Sequence, residues 1–318
     1  MRRCLVGDIG GTHCRLALAH ISAERIELSH RHTYLNAEFD HLAALIRHHL
    51  AGLAGVAAPD SVCLAVAGPT EGGGVAFTNL DWRLNATALA RELELTSLRF
   101  INDFVAVGLG LAALGDADRI ALQAGRPDPG APCLALGPGT GLGVVQCFPA
   151  KDRPQVHPSE GGHIGFAPVD AEQIRLLAFM QAELGGRVSI ERILSGPGIE
   201  ALYRFRCLET GRAAPPLAAS AVSAAALASP PDPGALAALR LFARILGQTA
   251  GDLALVSRAS GGVYIAGGIA PRILPILQDG GLLAGFHAKG RFSSWMRALP
   301  LHIVTDPDIG LKGAALAA

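Results

Sequence analysis

The 318-residue sequence predicts an α/β protein made of two related halves, each a mixed β-sheet flanked by helices. Three observations carry this. Apolar runs of strand length alternate with stretches of helical spacing in the order β-β-β-α-β-α-β-α over the opening part of the chain. Strands that follow one another directly imply antiparallel hairpins, and strands separated by helices imply parallel neighbours, so the sheet is mixed. After a Pro/Gly-rich break at residues 125–132 the opening pattern returns.

Taken in order, residues 3–7 read as a strand entering the turn Asp8-Ile9-Gly10-Gly11-Thr12, and residues 14–20 as its return. A third strand falls at 25–34, and Phe39, Leu42, Leu45, Ile46, His49 and Leu50 lie at helical spacing. Residues 61–67 form a short apolar strand ending at Gly68-Pro69. Residues 98–101 form another, ending at Asn102-Asp103 and followed by a helix to about Leu114. In the second half Cys133-Leu134-Ala135-Leu136 runs into Gly137-Pro138-Gly139-Thr140-Gly141, and residues 142–148 return. Residues 262–268 correspond to 62–68. Helices are expected at 170–185, at 190–208 and through the alanine-rich 217–258, and the tail 308–316 reads as a loop into a final helix.

Composition narrows the function classes. Half of the residues are hydrophobic, enough for a sizeable core. Lys+Arg and Asp+Glu each number 27, so there is no basic excess of the kind nucleic-acid binders carry. A phosphate site must then come from local backbone geometry rather than a global positive field. The six cysteines are scattered without a CxxC pair, which argues against a disulfide framework or zinc knuckle and for buried free thiols. The N-terminal apolar run breaks at Gly7-Asp8, unlike a signal peptide, and no apolar stretch reaches the length of a membrane span, so a cytoplasmic protein is expected, with neither membrane nor nucleic acid as partner.

Several constellations bear chemistry. In Asp8-Ile9-Gly10-Gly11-Thr12 the glycines let backbone N–H groups approach an anion, Thr12 adds a hydroxyl, Arg15 a charge, and Asp8 a carboxylate that can hold a metal ion through water. An ordinary hairpin turn explains the same residues. The second turn, with Gly139, Thr140 and Gly141, has more glycine than a hairpin needs, and two such turns together favour a grip on a polyphosphate. There is no P-loop motif, and no G-x-G-x-x-G fingerprint leads into a helix. Asp103, at a strand end opening a helix, is either a helix cap or the base that phosphoryl transfer to a hydroxyl requires, with Asn102 beside it on a neighbouring hydroxyl. Glu160, His163 and Glu191 suit the hydroxyl ring of a sugar. The rival for Glu160 with His163 is metal ligation, but no second nearby histidine completes a zinc site. Glu191 also reads as a first-turn charge at a helix N-terminus. Ser195 is not in a nucleophile motif. Asn79 reads equally as a substrate contact or part of a plain turn.

Together these residues resemble the bacterial glucokinase family of the actin-like/hexokinase ATPase superfamily. The matching segments are Val6-Gly7-Asp8-Ile9-Gly10-Gly11-Thr12 with Arg15-Leu16-Ala17-Leu18, Thr78-Asn79 with Trp82, Ile101-Asn102-Asp103-Phe104, and Gly137-Pro138-Gly139-Thr140-Gly141-Leu142-Gly143. Glu160-Gly161-Gly162-His163, Glu191-Arg192 with Leu194-Ser195-Gly196-Pro197-Gly198, and Ile265-Ala266-Gly267-Gly268-Ile269 with Pro271-Arg272 complete an ordered set along nearly the whole chain.

The resemblance implies a two-domain actin-like ATPase (ribonuclease H-like) fold closing on glucose and ATP, with Mg²⁺ accompanying ATP. The expected small domain comprises residues 1–112 plus 303–318, and the large domain 113–302. By the same resemblance Asp103 is the base for the 6-hydroxyl. Asn102, Asp103, Glu160, His163 and Glu191 bind the sugar. Asp8, Gly10, Gly11 and Thr12 with Gly139, Thr140 and Gly141 hold the phosphates, and Gly267 and Gly268 lie near adenosine. A homodimer is usual in the family. His13 stands where the family has asparagine, and Pro138, where alanine is common, removes one N–H from the second turn. The cysteine-rich zinc motif of the related repressor/open-reading-frame kinase group is missing, which favours the non-zinc branch. The alternatives are a kinase of fructose, mannose or an amino sugar, or a sugar-binding regulator that does not catalyse. Regulators of this superfamily carry an added helix-turn-helix, for which the start of the sequence leaves no room.

Overall fold

The computed structural model describes residues 2–22, 25–53, 58–59, 61–68, 74–76, 82–151 and 154–318. The chain divides into two compact units, Met1–Gly115 with Asp306–Ala318, and Asp116–Thr305.

In the first unit, β1 (Arg2–Ile9), β2 (His13–Ile21), β3 (Ile26–Leu35), β4 (Ser61–Val66) and β7 (Leu98–Asn102) form one sheet in the order β3-β2-β1-β4-β7, and β5 (Gly74–Ala76) pairs with β6 (Arg83–Asn85) in a separate two-stranded sheet. The pairs β1/β2 and β2/β3 are antiparallel, whereas β1/β4 and β4/β7 are parallel. Central strand β1 is apolar on both faces because both are covered. Its side chains alternate between two cores. Leu5 and Ile9 pack towards Leu42, Leu45 and Ile46 of the helix Leu42–Ala51. Cys4 and Val6 pack towards Leu311, Ala314 and Ala315 of the helix Ile309–Ala317.

In the second unit, β8 (Arg119–Gln123), β9 (Cys133–Pro138), β10 (Leu142–Phe148), β11 (Gln155–Ser159), β12 (Gly262–Ile265) and β13 (Leu301–Val304) form a sheet in the order β11-β10-β9-β12-β13-β8. Here β9/β10 and β10/β11 are antiparallel, and β9/β12 and β12/β13 are parallel. Apart from the edge strand β8, this is the arrangement of the first sheet again. The anticipated match of residues 262–268 with 62–68 is met, since β12 lies parallel to β9 as β4 lies parallel to β1. One large core serves this unit, built around the 25-residue helix Pro233–Ser257.

Some elements differ from the sequence reading. The helix expected from residue 190 starts at Gly196, with Ser195 as its N-cap accepting the Gly198 amide at 3.2 Å. Residues Ile190–Arg192 form a separate 3₁₀ turn. Pro197 decides this, because proline is accepted only in the first turn of a helix. The helix that opens at Asp103 ends at Gly110, and the chain continues as a 3₁₀ turn over Leu111–Ala113. The alanine-rich segment divides into Ala219–Leu227 and Pro233–Ser257 around Pro230 and Pro231.

Burial holds two thiols and one histidine neutral. Burial pushes the thiols of Cys63 and Cys147 up to about 12, so they behave as small apolar side chains. His49 is 2 % exposed, its Nδ1 lies 2.9 Å from the Tyr34 hydroxyl, and its Nε2 is buried with no partner among the described residues. Burial, helped by His32, His30 and His48, lowers it from its ordinary 6.5 to about 4. Between those values the unfolded chain binds a proton that the fold refuses. This contribution to stability is therefore complete above about pH 6.5 and is lost as pH falls towards 4. Urea midpoints measured from pH 7 to pH 4 are expected to fall more steeply for the native chain than for His49→Gln.

Candidate active site

In the first unit the turn between β1 and β2 is closed by the Gly10 amide donating to the His13 carbonyl at 2.9 Å. His13 performs this closure through its backbone, and its side chain is exposed, so the departure from asparagine does not alter how the turn closes. Asp8 and Arg15 are opposed in the β1/β2 register, and the guanidinium lies 2.5 Å from the Asp8 carboxylate. Arg15 also donates to the Pro307 carbonyl at 2.8 Å. Arg15 is thus paired with Asp8 rather than standing alone as a charge for phosphate.

The sequence reading missed Asn36. It is 2 % exposed, donates Nδ2 to the Gly10 carbonyl at 2.8 Å, and donates its own amide to the Thr12 carbonyl at 2.9 Å. Its Oδ1 is buried without a partner among the described residues. Asn36 therefore braces the turn from behind, fixing both ends of Gly10-Gly11-Thr12. No local motif marks it; the strand pairing of β2 with β3 brings it there.

Asn102 and Asp103 stand where β7 meets the helix Asp103–Gly110. The N-cap is Asn102, whose Oδ1 accepts the amides of Phe104 at 2.9 Å and Val105 at 3.1 Å while Nδ2 reaches the Gly68 carbonyl at 3.3 Å. Asp103 occupies the first helical position, half-buried, and accepts the Phe104 amide at 2.8 Å. The capping role that the sequence left open for Asp103 is thus filled by its neighbour. Trp82 donates Nε1 to the Asp40 carbonyl at 3.2 Å. Thr78 and Asn79 lie outside the described residues.

In the second unit the turn between β9 and β10 is tied at two points. Gly139 donates to the Gly141 carbonyl at 2.8 Å, and its own carbonyl accepts the Gly196 amide, also at 2.8 Å. Pro138, the last residue of β9, accepts the Ile269 amide at 3.4 Å. Gly267, at φ +83°, packs so closely that an added Cβ would lie 2.6 Å from the Pro138 carbonyl oxygen. Both the positive φ and this contact call for glycine. Gly268 beside it is unobstructed.

The Leu142 peptide is met by the Glu191 side chain and by the turn that carries His163. Glu160 and His163 flank the 3₁₀ turn Gly161–His163, with Nε2 and Oε2 3.6 Å apart and side chains 59 % and 85 % exposed for His163 and Glu160 respectively. That turn is pressed onto β10, where a Cβ on Gly162 would lie 2.2 Å from the Leu142 carbonyl oxygen. Glu191 meets the other side of the strand's start, its Oε2 accepting the Leu142 amide at 3.0 Å. Among the described residues no group of three His, Cys, Asp or Glu could hold a metal ion.

Two sheets of one strand order, each opening on a glycine–threonine hairpin, place the chain in the actin-like ATPase fold class. A solved glucokinase from an Antarctic psychrotroph matches it with a TM-score of 0.88 and 34% identity, over 100% of this chain and 98% of that one. The glucokinase of Balamuthia mandrillaris, solved in complex with glucose, matches with a TM-score of 0.82 and 26% identity over 100% of this chain and 93% of that one. A glucokinase of Yersinia enterocolitica is 39% identical over 310 residues, covering 98% of this chain and 94% of the relative. The glucokinase family model matches residues 5–318, and the chain belongs to the glucokinase family.

Proposed function

We propose that this protein transfers the γ-phosphoryl group of ATP to the 6-hydroxyl of D-glucose, giving glucose 6-phosphate and ADP. The observation that carries the reading is the pair of glycine–threonine hairpins at equivalent places in two sheets of one strand order. Glycine-rich backbone turns present N–H groups to phosphate oxygens, as a triphosphate requires. Membership of the glucokinase family supplies the sugar.

In this reading Gly10, Gly11 and Thr12 with Gly139, Thr140 and Gly141 hold the phosphates, and Gly267 and Gly268 border adenosine. Glucose hydroxyls are met by Asn102, Glu160, His163 and Glu191. Asp103 takes the proton of the 6-hydroxyl as that oxygen attacks phosphorus in line, forming one O–P bond while the bond to ADP breaks. Mg²⁺ would accompany ATP and neutralise phosphate charge, with Asp8, whose carboxylate is also paired with Arg15, as the residue that would hold it through water. One carboxylate with retained waters and phosphate oxygens is a normal environment for Mg²⁺. Residues 1–112 with 303–318 act as the small domain and 113–302 as the large one. A cytoplasmic homodimer completes the reading; no helix among the described residues is long and apolar enough to cross a membrane.

A coupled assay of ADP release across glucose, fructose, mannose and glucosamine tests it. Glucose is expected to give the highest kcat/KM. A higher value for another sugar changes the substrate, and sugar binding without ADP release makes the protein a non-catalytic regulator. Asn36 supplies a second check. Its substitution by alanine removes the Nδ2 bond to the Gly10 carbonyl. The expected result is a rise in KM for ATP of about two- to tenfold, matching one hydrogen bond, with KM for glucose unchanged.

A further inference from the structure

We infer that Glu191 is a positioning residue for the second phosphate turn as well as a sugar ligand, so that a single carboxylate joins the two substrates. This rests on the proposed roles of Glu191 and of residues 139–141. The carboxylate sits in the 3₁₀ turn Ile190–Arg192, 49 residues along the chain from the amide it accepts, that of Leu142 at 3.0 Å. That amide immediately follows the turn. The contact extends to the turn itself, since a Cβ on Gly141 would lie 2.5 Å from Glu191 Oε2 and 3.2 Å from its Cδ. The absence of a side chain at 141 is what lets the carboxylate lie against the turn.

The rest of the turn is held from elsewhere. Its start is tied to Gly196, and the Leu142 carbonyl is covered by Gly162 of the turn carrying His163. Glu191 secures the exit. A bond from an amide to an ionised carboxylate is stronger than one to a neutral acceptor. A carboxylate accepts about four hydrogen bonds, so the Leu142 amide and sugar hydroxyls can share it. Sugar bound to the carboxylate immobilises it, and an immobilised carboxylate steadies the turn that meets the nucleotide. A second ligand then loses less freedom on binding, which is positive coupling, equal in both directions.

The test is calorimetry with a non-hydrolysable ATP analogue and Mg²⁺, on the full chain and on Glu191→Gln and Glu191→Asp, first without sugar and then at saturating glucose. Aspartate keeps the charge but withdraws the carboxylate by one methylene from the Leu142 amide. Without sugar, both variants are expected to bind the analogue about five- to tenfold more weakly than the native chain. Glucose is expected to tighten analogue binding several-fold in the native chain and to leave it unchanged in the variants. A residue that only contacts sugar would leave the sugar-free affinity untouched, so variants within twofold of native overturn the inference. A native chain that binds neither analogue nor glucose refutes the proposed function instead. Should either variant fail to fold by its melting curve, Gly141→Ala, which displaces the carboxylate while keeping Glu191, is expected to show the same loss of coupling, and retained coupling in it overturns the inference.

Discussion

Replacement of Asp103 by alanine is expected to lower kcat by about 10²- to 10⁴-fold, the range a positioned general base contributes. Glucose and ATP affinities are expected to stay within a few-fold of native. The structure makes this a clean experiment, because the helix it opens does not rely on Asp103 for its cap. Asn102 accepts the amides of both Phe104 and Val105. Alanine removes, among other contacts, the 2.8 Å bond to the Phe104 amide and a negative charge at the first helical position. A charge there is worth about 0.3–1 kcal/mol. The melting temperature should therefore move by only a few degrees while turnover collapses. Asp103→Asn keeps the shape and an acceptor for the Phe104 amide but takes no proton, and it should be as inactive as alanine. Turnover within threefold of native in either variant removes Asp103 from the chemistry.

The elements that the sequence disclosed are those whose cause is local. Apolar runs bounded by Gly-rich turns predicted both hairpins, and the repeated order predicted the second sheet, because strand and turn signals lie within a few residues of one another. Glu191 was visible as a residue, but its helix was misplaced: the Ser195-Gly196-Pro197-Gly198 run, read as helix interior, is a helix start. Asn36 was invisible, since its role exists only when β3 pairs with β2 and brings it behind Gly10, 26 residues earlier. The Leu142 peptide escaped notice for the same reason: its amide and carbonyl are engaged by residues from two later segments of the chain. Side-chain type advertises chemistry, whereas bracing depends on register and on contacts distant in sequence.

That dependence sets the second large effect, at Gly313. The helix Ile309–Ala317 packs on the helix Asp103–Gly110 so closely that a Cβ on Gly313 would lie 1.7 Å from the Ala106 carbonyl oxygen and 2.9 Å from the Gly110 amide nitrogen. These are backbone atoms, so relief requires one helix to move. The C-terminal helix is restrained on its own account, with Arg99 donating to the Ala317 carbonyl at 2.6 Å and Lys312 paired with Asp306 at 2.8 Å. Two terms oppose each other in Gly313→Ala. Alanine favours helix over glycine by about 1 kcal/mol. Overpacking costs about 1–3 kcal/mol, and a clash with rigid backbone belongs at the upper end. The second term wins, and a net destabilisation of about 2 kcal/mol is expected in urea unfolding. Gly310→Ala, in the same helix, meets nothing within 4 Å and is the control; it should be neutral or slightly stabilising. Because the helix that must yield carries Asp103 at its first position, Gly313→Ala should also lower kcat well below native at temperatures where the protein remains folded. If Gly313→Ala matches Gly310→Ala in both stability and turnover, close packing of these two helices is not what holds Asp103 in place.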